Sequence, residues 1–482
     1  MIFGSPGTGK TTYLINLLRE LLEVYSPQEI AFVSFTKKGS YEGRDRAIKE
    51  FNFKAEDFPY FKTIHAIAFK ELGMSRYDII SKRHYKEFST AMGMSFVGYY
   101  TEEFNNNDDR YLFLCSLEKN NKDSAERMMN NDTLLNYNKY KHIKSSYKKF
   151  KSFNAIKDFD DLLVDYLEQG KTLPVKVAII DEAQDLTTLQ WAFCNKAFSA
   201  CDRVFIAGDD DQAIYEWSGA DINQFLSFTN CSTVKILDKT WRLKKDILDY
   251  SDRLVKKITT RVDKKVSPNS VGGSITFYNN ISEVGLNNEE TYYLLSRNRF
   301  YLRYYKEFLY EKGIDFYYKD DYSIDLNIFN AIRYYENLRQ NNSHLILTDN
   351  KLIPFLRKDH DFKKSSPVWY DALNLPIEQI RYYRRLFQNK VSGKDCKIRV
   401  DTIHGVKGGE ADNVVLLLDM TKNVYNGMSS GEDKTLDSEL RCLYVAMTRA
   451  KKNLHIVHSN GRFGYDDIVR TLSYKINVNI EI

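Results

Sequence analysis

The sequence predicts an α/β protein built on parallel sheets, and three observations carry that prediction. Short β-type runs recur along the 482 residues, each closed by a polar or glycine-rich turn. Helical periodicity fills the intervals, and two long helix-rich stretches interrupt the alternation. Strands that alternate with helices imply parallel sheets whose functional loops lie at the strand ends.

In chain order the β-type runs are "MIFG", "IAFVSF", "KVAIID", "RVFIAG", "SITFY", "TYYLLS", "KIRVDTIHG", "NVVLLLDM" and "NLHIVHS". "TTYLINLLRELLEVY" and "LRCLYVAMTRAKKNL" place apolar residues at helical spacing and are expected as helices. The stretch from about Met74 to Gly170 reads as mostly helical and polar, and that from about Asp321 to Ser392 as mixed and helix-rich. Neither is rich in Pro, Gly or Ser, so both are expected as insertions into α/β domains rather than as linkers. The expected organisation is a first domain from 1–75 and 171–236 interrupted by 76–170, and a second from 237–320 and 392–482 interrupted by 321–391.

With 43% hydrophobic residues the chain can bury more than one core. It has no apolar stretch of about twenty residues, and "MIFGSPGTGK" lacks the apolar core and cleavage site of a signal peptide, so a soluble cytoplasmic protein without a membrane partner is expected. The six cysteines (Cys115, Cys194, Cys201, Cys231, Cys396, Cys442) have no paired spacing that suggests zinc, an iron–sulfur cluster or disulfides, and are read as reduced thiols. A net charge of +5 permits a polyanionic partner without demanding one. The run "NKYKHIKSSYKKFKSF", Asn138 to Phe153, suits a phosphate backbone with stacked bases, and suits a solvated helix face equally well.

The strongest motif is "GSPGTGKT", Gly4 to Thr11, after a short strand and before a strong helix. Glycines let such a loop wrap phosphate with backbone N–H groups pointing inward, and the helix start adds positive potential. The candidate nucleotide-binding residues are Gly4, Ser5, Pro6, Gly7, Thr8, Gly9, Lys10, Thr11 and Thr12, with Lys10 reaching the β and γ phosphates and Thr11 ligating Mg²⁺. The apolar run "VAIIDEAQDL" ends in two acids: Asp181 is the candidate Mg²⁺ residue and Glu182 the candidate general base for the attacking water. An acid pair of this kind alone also describes a solvated turn; beside a phosphate loop it points to a nucleoside triphosphatase.

"DEAQDL" followed by "GDDDQAIYEW" resembles the UvrD/Rep-type superfamily 1A DNA helicases. Further segments match in order: "VSFTKKGS", "TIHAIAF", "DFDDLL", "LDKTWRL", "LLSRNRF", "VDTIHGVKGGEAD" and "LYVAMTRAKKNL". The resemblance implies two RecA-like domains with ATP clamped between them and single-stranded DNA running across their top. It implies that Gln212 contacts the γ-phosphate while Trp217 and Tyr215 lie against bases, so that one short loop touches both ligands; Trp217 also fits a core position. It implies that Arg242 and Arg449, supplied by the second domain, reach the γ-phosphate. Trp241, where the family usually has tyrosine, then stacks on adenine, and Glu410 bonds the ribose hydroxyls. Ser34, Phe35, Thr36, Lys37, Thr63, His65, Arg297, Asn298, Thr402 and His404 match segments that line the single strand, contacts that carry no base sequence information. The two histidines recur in a "TIH" triplet with no zinc-type spacing around them, and each also fits a structural histidine. Asp437 to Arg441 reads as a charged helix face without a role.

The activity implied is that of an ATP- and Mg²⁺-dependent helicase or translocase moving 3′ to 5′ on single-stranded DNA, engaging single-strand/duplex junctions as a monomer in replication, repair or recombination. Three alternatives stay open: a DNA-stimulated ATPase that remodels protein–DNA complexes, a DNA-binding subunit of a larger repair complex, and an RNA helicase. The sequence opens on the phosphate-loop strand without the upstream glutamine segment by which that family reads adenine. Its second insertion is shorter than the family's large mobile subdomain, and a compact motor is expected.

Overall fold

Two parallel sheets organise the chain, and in the computed structural model each belongs to its own unit. The first unit comprises Met1–Leu248, Asp252–Val271 and Ser430–Tyr444; the second comprises Asp249–Ser251, Gly272–Ser429 and the chain from Val445. The structure describes residues 1–473 except 35–36, 52, 99–102, 105, 288, 342–345, 347–350 and 359–366, and of 37–43 and 473 it describes the backbone only.

The first sheet contains β1 (Ile2–Gly4), β2 (Ile30–Ser34), β3 (Phe61–Thr63), β4 (Val177–Asp181), β5 (Arg203–Gly208) and β6 (Lys235–Leu237), in the spatial order β3-β2-β4-β5-β1-β6 with every pairing parallel. β2 and β4 are buried at every position, as strands covered by helices on both faces must be. Alternation along each strand sends Phe32 and Ile179 to a core shared with Leu14, Leu18 and Leu21 of the helix Lys10–Leu22. Val33 and Ile180 go to the opposite core with Leu162, Tyr166, Trp191 and Phe193. Each fully buried aliphatic side chain there contributes about 1.5–3 kcal/mol.

Within 76–170 the chain is helical; Leu162 and Tyr166 join the core of the first sheet, while a separate core forms around Phe88, Leu112, Phe113, Tyr140 and Tyr147. Its basic run forms the helix Tyr137–Phe153, which turns Tyr140, Ile143 and Tyr147 into that core. Lys139, Lys144 and Lys151 pair with Asp108, Glu118 and the Asp158–Asp161 pair respectively. The interleaved tyrosines are therefore packing residues, and only part of the lysine charge faces solvent.

The second sheet contains β7 (Ser274–Tyr278), β8 (Tyr292–Ser296), β9 (Tyr317–Tyr318), β10 (Asp321–Tyr322), β11 (Ile398–Thr402), β12 (Ala411–Leu417) and β13 (Ala450–Val457). Its order is β10-β9-β11-β8-β12-β13-β7, parallel except for the short β9–β10 pair. The insertion 321–391 builds a separate core from Phe329, Ile332, Tyr335, Trp369, Tyr383 and Leu386. Among the described residues no helix is long and apolar enough to cross a membrane.

Two expectations are corrected. "LRCLYVAMTRAKKNL" is not one helix: the helix Asp433–Met447 stops, and Ala450 begins β13. The apolar spacing runs on through Leu454, but parallel pairing of β13 with both β12 and β7 overrides local periodicity there. The first unit also does not end near 236. β6 pairs with β1, Lys239 bridges Ser267, and the residues up to Leu248, together with Asp252–Val271 and Ser430–Tyr444, belong to it.

Candidate nucleotide and nucleic-acid site

The strand order brings one end of every first-sheet strand to a single edge. Parallel register aligns Ser34 with Thr63 on one side and with Asp181 on the other. The loops after β1, β4 and β5 leave the sheet at that same edge, where open parallel sheets bind ligands.

β1 runs into the loop Ser5–Gly9, and the helix Lys10–Leu22 follows. Within the loop the Thr8 hydroxyl and N–H both donate to the Ser5 carbonyl, at 2.8 and 3.1 Å. The segment after β6 closes on its other side: the Thr240 hydroxyl donates to the Pro6 carbonyl at 2.7 Å and the Trp241 N–H to the Gly7 carbonyl at 2.7 Å. Gly7 has φ 74°, and a Cβ there would meet the Cβ of Arg242 at 2.3 Å. Gly7→Ala is therefore expected to abolish nucleotide binding while costing about 1–2 kcal/mol of backbone strain, read by nucleotide titration and thermal denaturation.

This packing corrects the placement of Arg242. The sequence reading assigns it to the second domain, yet it belongs to the first unit, because Thr240–Arg242 is hydrogen-bonded to the phosphate loop itself. Trp241 is 63% exposed beside Gly9, with the Lys239 ammonium 4.2 Å from the centre of its ring. A flat, accessible indole against the loop suits stacking on a base.

The Lys10 ammonium lies 2.8 Å from Glu182 Oε1 and 3.8 Å from Asp181 Oδ1. Burial opposes its charge, but Glu182 and Asp181 outweigh that and hold it above the ordinary lysine value. Glu182 is left-handed at φ 52°, an uncommon conformation for a residue other than glycine, and its N–H donates to Asp181 Oδ1 at 2.9 Å. Glycines that clear the loop, the Thr11 hydroxyl, the Lys10 ammonium and the Asp181 carboxylate form a donor set suited to a nucleotide triphosphate with Mg²⁺. Thr12 is exposed on the helix.

Gln184, to which no motif of the sequence assigns a role, is fully buried. Its Nε2 donates to Glu182 Oε2 at 2.6 Å, and its Oε1 accepts the Asp209 N–H at 3.0 Å. Asp209 Oδ2 in turn accepts from Gln212 Nε2 at 2.6 Å. The candidate base and the candidate γ-phosphate amide are thus joined through Gln184 and Asp209. Gly208 makes room for this bridge, since a Cβ there would come within 2.5 Å of Gln184 Oε1. Burial pushes the Asp209 carboxyl up to about 6, with Lys264 opposing and Asp211 and Asp210 reinforcing.

Five residues beyond Gln212, Trp217 is half-buried and packs on the insertion core, its ring 5.9 Å from that of Phe113 and 6.4 Å from that of Tyr215. Between the two aromatics, Glu216 is buried with Arg441 at 3.6 Å and Lys434 at 3.8 Å. Asp437 and Arg441 are also buried, which corrects their reading as a roleless charged face. Asp437 accepts the Thr259 and Thr260 N–H groups at 2.9 and 3.0 Å, and Arg441 Nε donates to the Asp210 carbonyl at 3.0 Å.

Among the expected single-strand contacts, Phe35 and Thr36 lie outside the described residues, as does the Lys37 side chain. The Ser34 hydroxyl is buried, with no hydrogen-bond partner among the described residues. Thr63 caps its helix by accepting the Ala66 N–H at 3.3 Å. Half-buried His65 stands 6.0 Å from the Phe159 ring; burial lowers its pKa from 6.5 to about 4, with Asp158 opposing, so it is neutral near pH 7. A depressed histidine pKa means that the unfolded chain takes up the proton first. Stability is then fully present above about 6.5 and is lost as pH falls toward about 4, so the thermal midpoint should drop across that window more steeply in the wild type than in His65→Asn.

In the second unit the expected residues separate by sheet edge. Arg297 and Asn298 follow β8, and Thr402 and His404 end or follow β11, all at the carboxyl edge. Thr402 Oγ1 accepts the Gly405 N–H at 3.2 Å. Arg297 and Asn298 are buried rather than presented to solvent, and the Asn298 side-chain oxygen accepts the Thr421 N–H at 2.9 Å. Glu410 and Arg449 stand immediately before β12 and β13, at the opposite edge, where Ala411 pairs with Ala450. Glu410 is 3.7 Å from Lys451. Arg449 is buried, donating to the Val445 carbonyl at 3.0 Å and the Gly409 carbonyl at 3.1 Å.

A glycine-rich loop between a central parallel strand and its helix, faced by a strand-end acid pair, defines the phosphate-loop class of nucleotide-binding proteins. Within that class the chain belongs to the UvrD/Rep helicase family: residues 1–232 match the UvrD/REP helicase N-terminal domain and residues 397–457 the UvrD-like helicase C-terminal domain. Similar curated proteins include the ATP-dependent DNA helicase PcrA of Leuconostoc citreum, 25% identical over 303 residues, covering 58% of this chain and 40% of the relative. The ATP-dependent DNA helicase Rep of Buchnera aphidicola is 25% identical over 300 residues, covering 57% and 43%. The matched region thus spans about two fifths of the length of these relatives. Among solved structures, the arterivirus nonstructural protein 10 helicase aligns over 98% of this chain and 61% of its own at a TM-score of 0.35 and 12% identity.

Proposed function

We propose that the protein is an ATP- and Mg²⁺-dependent DNA helicase that moves 3′ to 5′ along single-stranded DNA. The observation that carries the reading is the chain of hydrogen bonds from Glu182 through Gln184 and Asp209 to Gln212, five residues before Trp217. A change at the γ-phosphate position reaches, within one loop, an aromatic pair suited to gripping bases, and stacking on such rings contributes about 1–3 kcal/mol per base without sequence preference.

In this reading Lys10 binds the β and γ phosphates, Thr11 and Asp181 hold Mg²⁺, and Glu182 takes the proton of the attacking water. Arg242 and Arg449 neutralise charge on the transferring phosphoryl group. Trp241 stacks on adenine and Glu410 bonds the ribose. The carboxyl-edge residues Ser34, Thr63, His65, Arg297, Asn298, Thr402 and His404 support the nucleic-acid track, with buried Asn298 and neutral His65 shaping its loops. The DNA substrate rests on similarity to the ATP-dependent DNA helicases PcrA and Rep, and the polarity on the motif resemblance to the UvrD/Rep-type family.

The test is strand displacement from duplexes carrying a 3′ or a 5′ single-stranded tail, with ATP and Mg²⁺. Unwinding of the 3′-tailed duplex alone is expected. Preference for the 5′ tail would overturn the polarity, and failure on both would overturn the helicase reading in favour of an ATPase that remodels protein–DNA complexes.

A further inference from the structure

Asp209, Asp210 and Asp211 are buried side by side, with one carboxylate oxygen of each within 4.8 Å of the others. Such a cluster must be neutralised, because unpaired buried charge is strongly unfavourable. The ammonium of Lys264 does this. It lies 3.2 Å from Asp209 Oδ1 and 2.9 Å from Asp211 Oδ2, it also contacts Asp210 Oδ1, and its side chain is 1% exposed. Arg261 adds a bidentate pair to Asp211 at 2.8 and 3.0 Å, and the Val262 N–H donates to Asp210 Oδ2 at 2.6 Å.

The segment Thr259–Lys264 is therefore a strap laid over the acidic loop. Its other end is fixed as well: Asp437 accepts the Thr259 hydroxyl at 2.8 Å, and Arg441 Nη2 donates to the Thr260 carbonyl at 2.6 Å. The two oxygens of Asp209 are divided between neighbours, Oδ1 facing Lys264 and accepting the Asp211 N–H at 3.3 Å, and Oδ2 accepting the Gln212 amide.

We propose that Lys264 is a positioning residue for nucleotide hydrolysis: by fixing the Asp209 carboxylate it aims the carboxamide of Gln212. The proposal rests on the ATPase reading above. Without the ammonium, Asp209 either takes a proton, which weakens its oxygens as acceptors, or rotates away from its neighbours, and in both cases its hold on the Gln212 amide loosens. A catalytic group displaced by about 1 Å can cost on the order of 10²-fold in rate.

The experiment measures kcat and KM for ATP in wild type, Lys264→Met, Gln212→Ala and the double variant. Because Lys264→Met leaves excess buried acid, the charge-balanced pair Lys264→Met/Asp210→Asn is measured beside it, each with a thermal melt. The expected result is a fall in kcat of about 10- to 100-fold with KM nearly unchanged, and little further loss when Lys264→Met is added to Gln212→Ala. A wild-type kcat in a folded Lys264 variant, or equal losses with and without Gln212, would overturn the positioning role. Wild-type protein whose ATP hydrolysis is absent or indifferent to Glu182→Gln would instead overturn the ATPase reading on which the role depends.

Discussion

Glu182→Gln is expected to lower kcat for ATP hydrolysis by about 10²- to 10⁴-fold while leaving nucleotide affinity largely intact. The amide keeps the shape of the side chain but cannot take a proton. Two contacts make this substitution informative: Glu182 Oε1 faces Lys10 at 2.8 Å, and Oε2 accepts from Gln184 at 2.6 Å. A Gln at 182 retains an acceptor for one of these partners, so the loop keeps its fold and the loss falls on chemistry. Single-turnover hydrolysis alongside nucleotide titration separates the two effects. A fall in affinity matching the fall in rate would mean that the side chain holds the ground state rather than acting as a base.

The arginines should lose more, and in two distinguishable ways. Removing a guanidinium that stabilises the transferring phosphoryl group costs about 10³- to 10⁵-fold in kcat, expected for Arg242→Ala and Arg449→Ala alike. Their structural settings differ. Arg449 is 1% exposed and donates to the Val445 and Gly409 carbonyls, so its removal takes a charged donor from two buried carbonyls, the former of which keeps the Thr448 hydroxyl, at about 1–3 kcal/mol. Arg242 is less buried. The expected pattern is a kinetic defect in both variants with the larger drop in melting temperature for Arg449→Ala. A melting defect without a kinetic one at Arg449 would make it a purely structural residue.

How much of this was legible in the sequence follows from how local each signal is. The phosphate loop and the acids ending β4 were readable because each is one contiguous segment set at a strand end, and the strand–loop–helix order fixes its conformation. The strands β1, β2 and β4 were readable for the same reason, as apolar runs that parallel pairing buries on both faces, while β5 is buried only from Ile206 on. Features made by distant segments were not. Lys264 reaches Asp210 across 54 positions, and Arg441 reaches it across 231. Nothing in "TTRVDKK" announces a partner. The sequence places Arg242 in the second unit because the hydrogen bonds from Thr240 and Trp241 to the phosphate loop leave no trace in periodicity. The helix-to-strand switch after Met447 was hidden by apolar spacing that both structures can use, until pairing with β12 decided it.

The same distinction applies to the acidic run. "GDDDQ" read alone suggests carboxylates facing a ligand. In the fold those carboxylates face inward to Lys264 and Arg261, and Asp209 holds the Gln212 carboxamide.

One loop is proposed to couple the nucleotide to a nucleic-acid strand. The most direct measurement is ATP hydrolysis by the purified protein with no nucleic acid, single-stranded DNA, single-stranded RNA or blunt duplex, with Glu182→Gln as control. Strong stimulation by single-stranded DNA that vanishes in Glu182→Gln is the predicted result; hydrolysis indifferent to every nucleic acid would contradict the coupling assigned to Gln212 and Trp217.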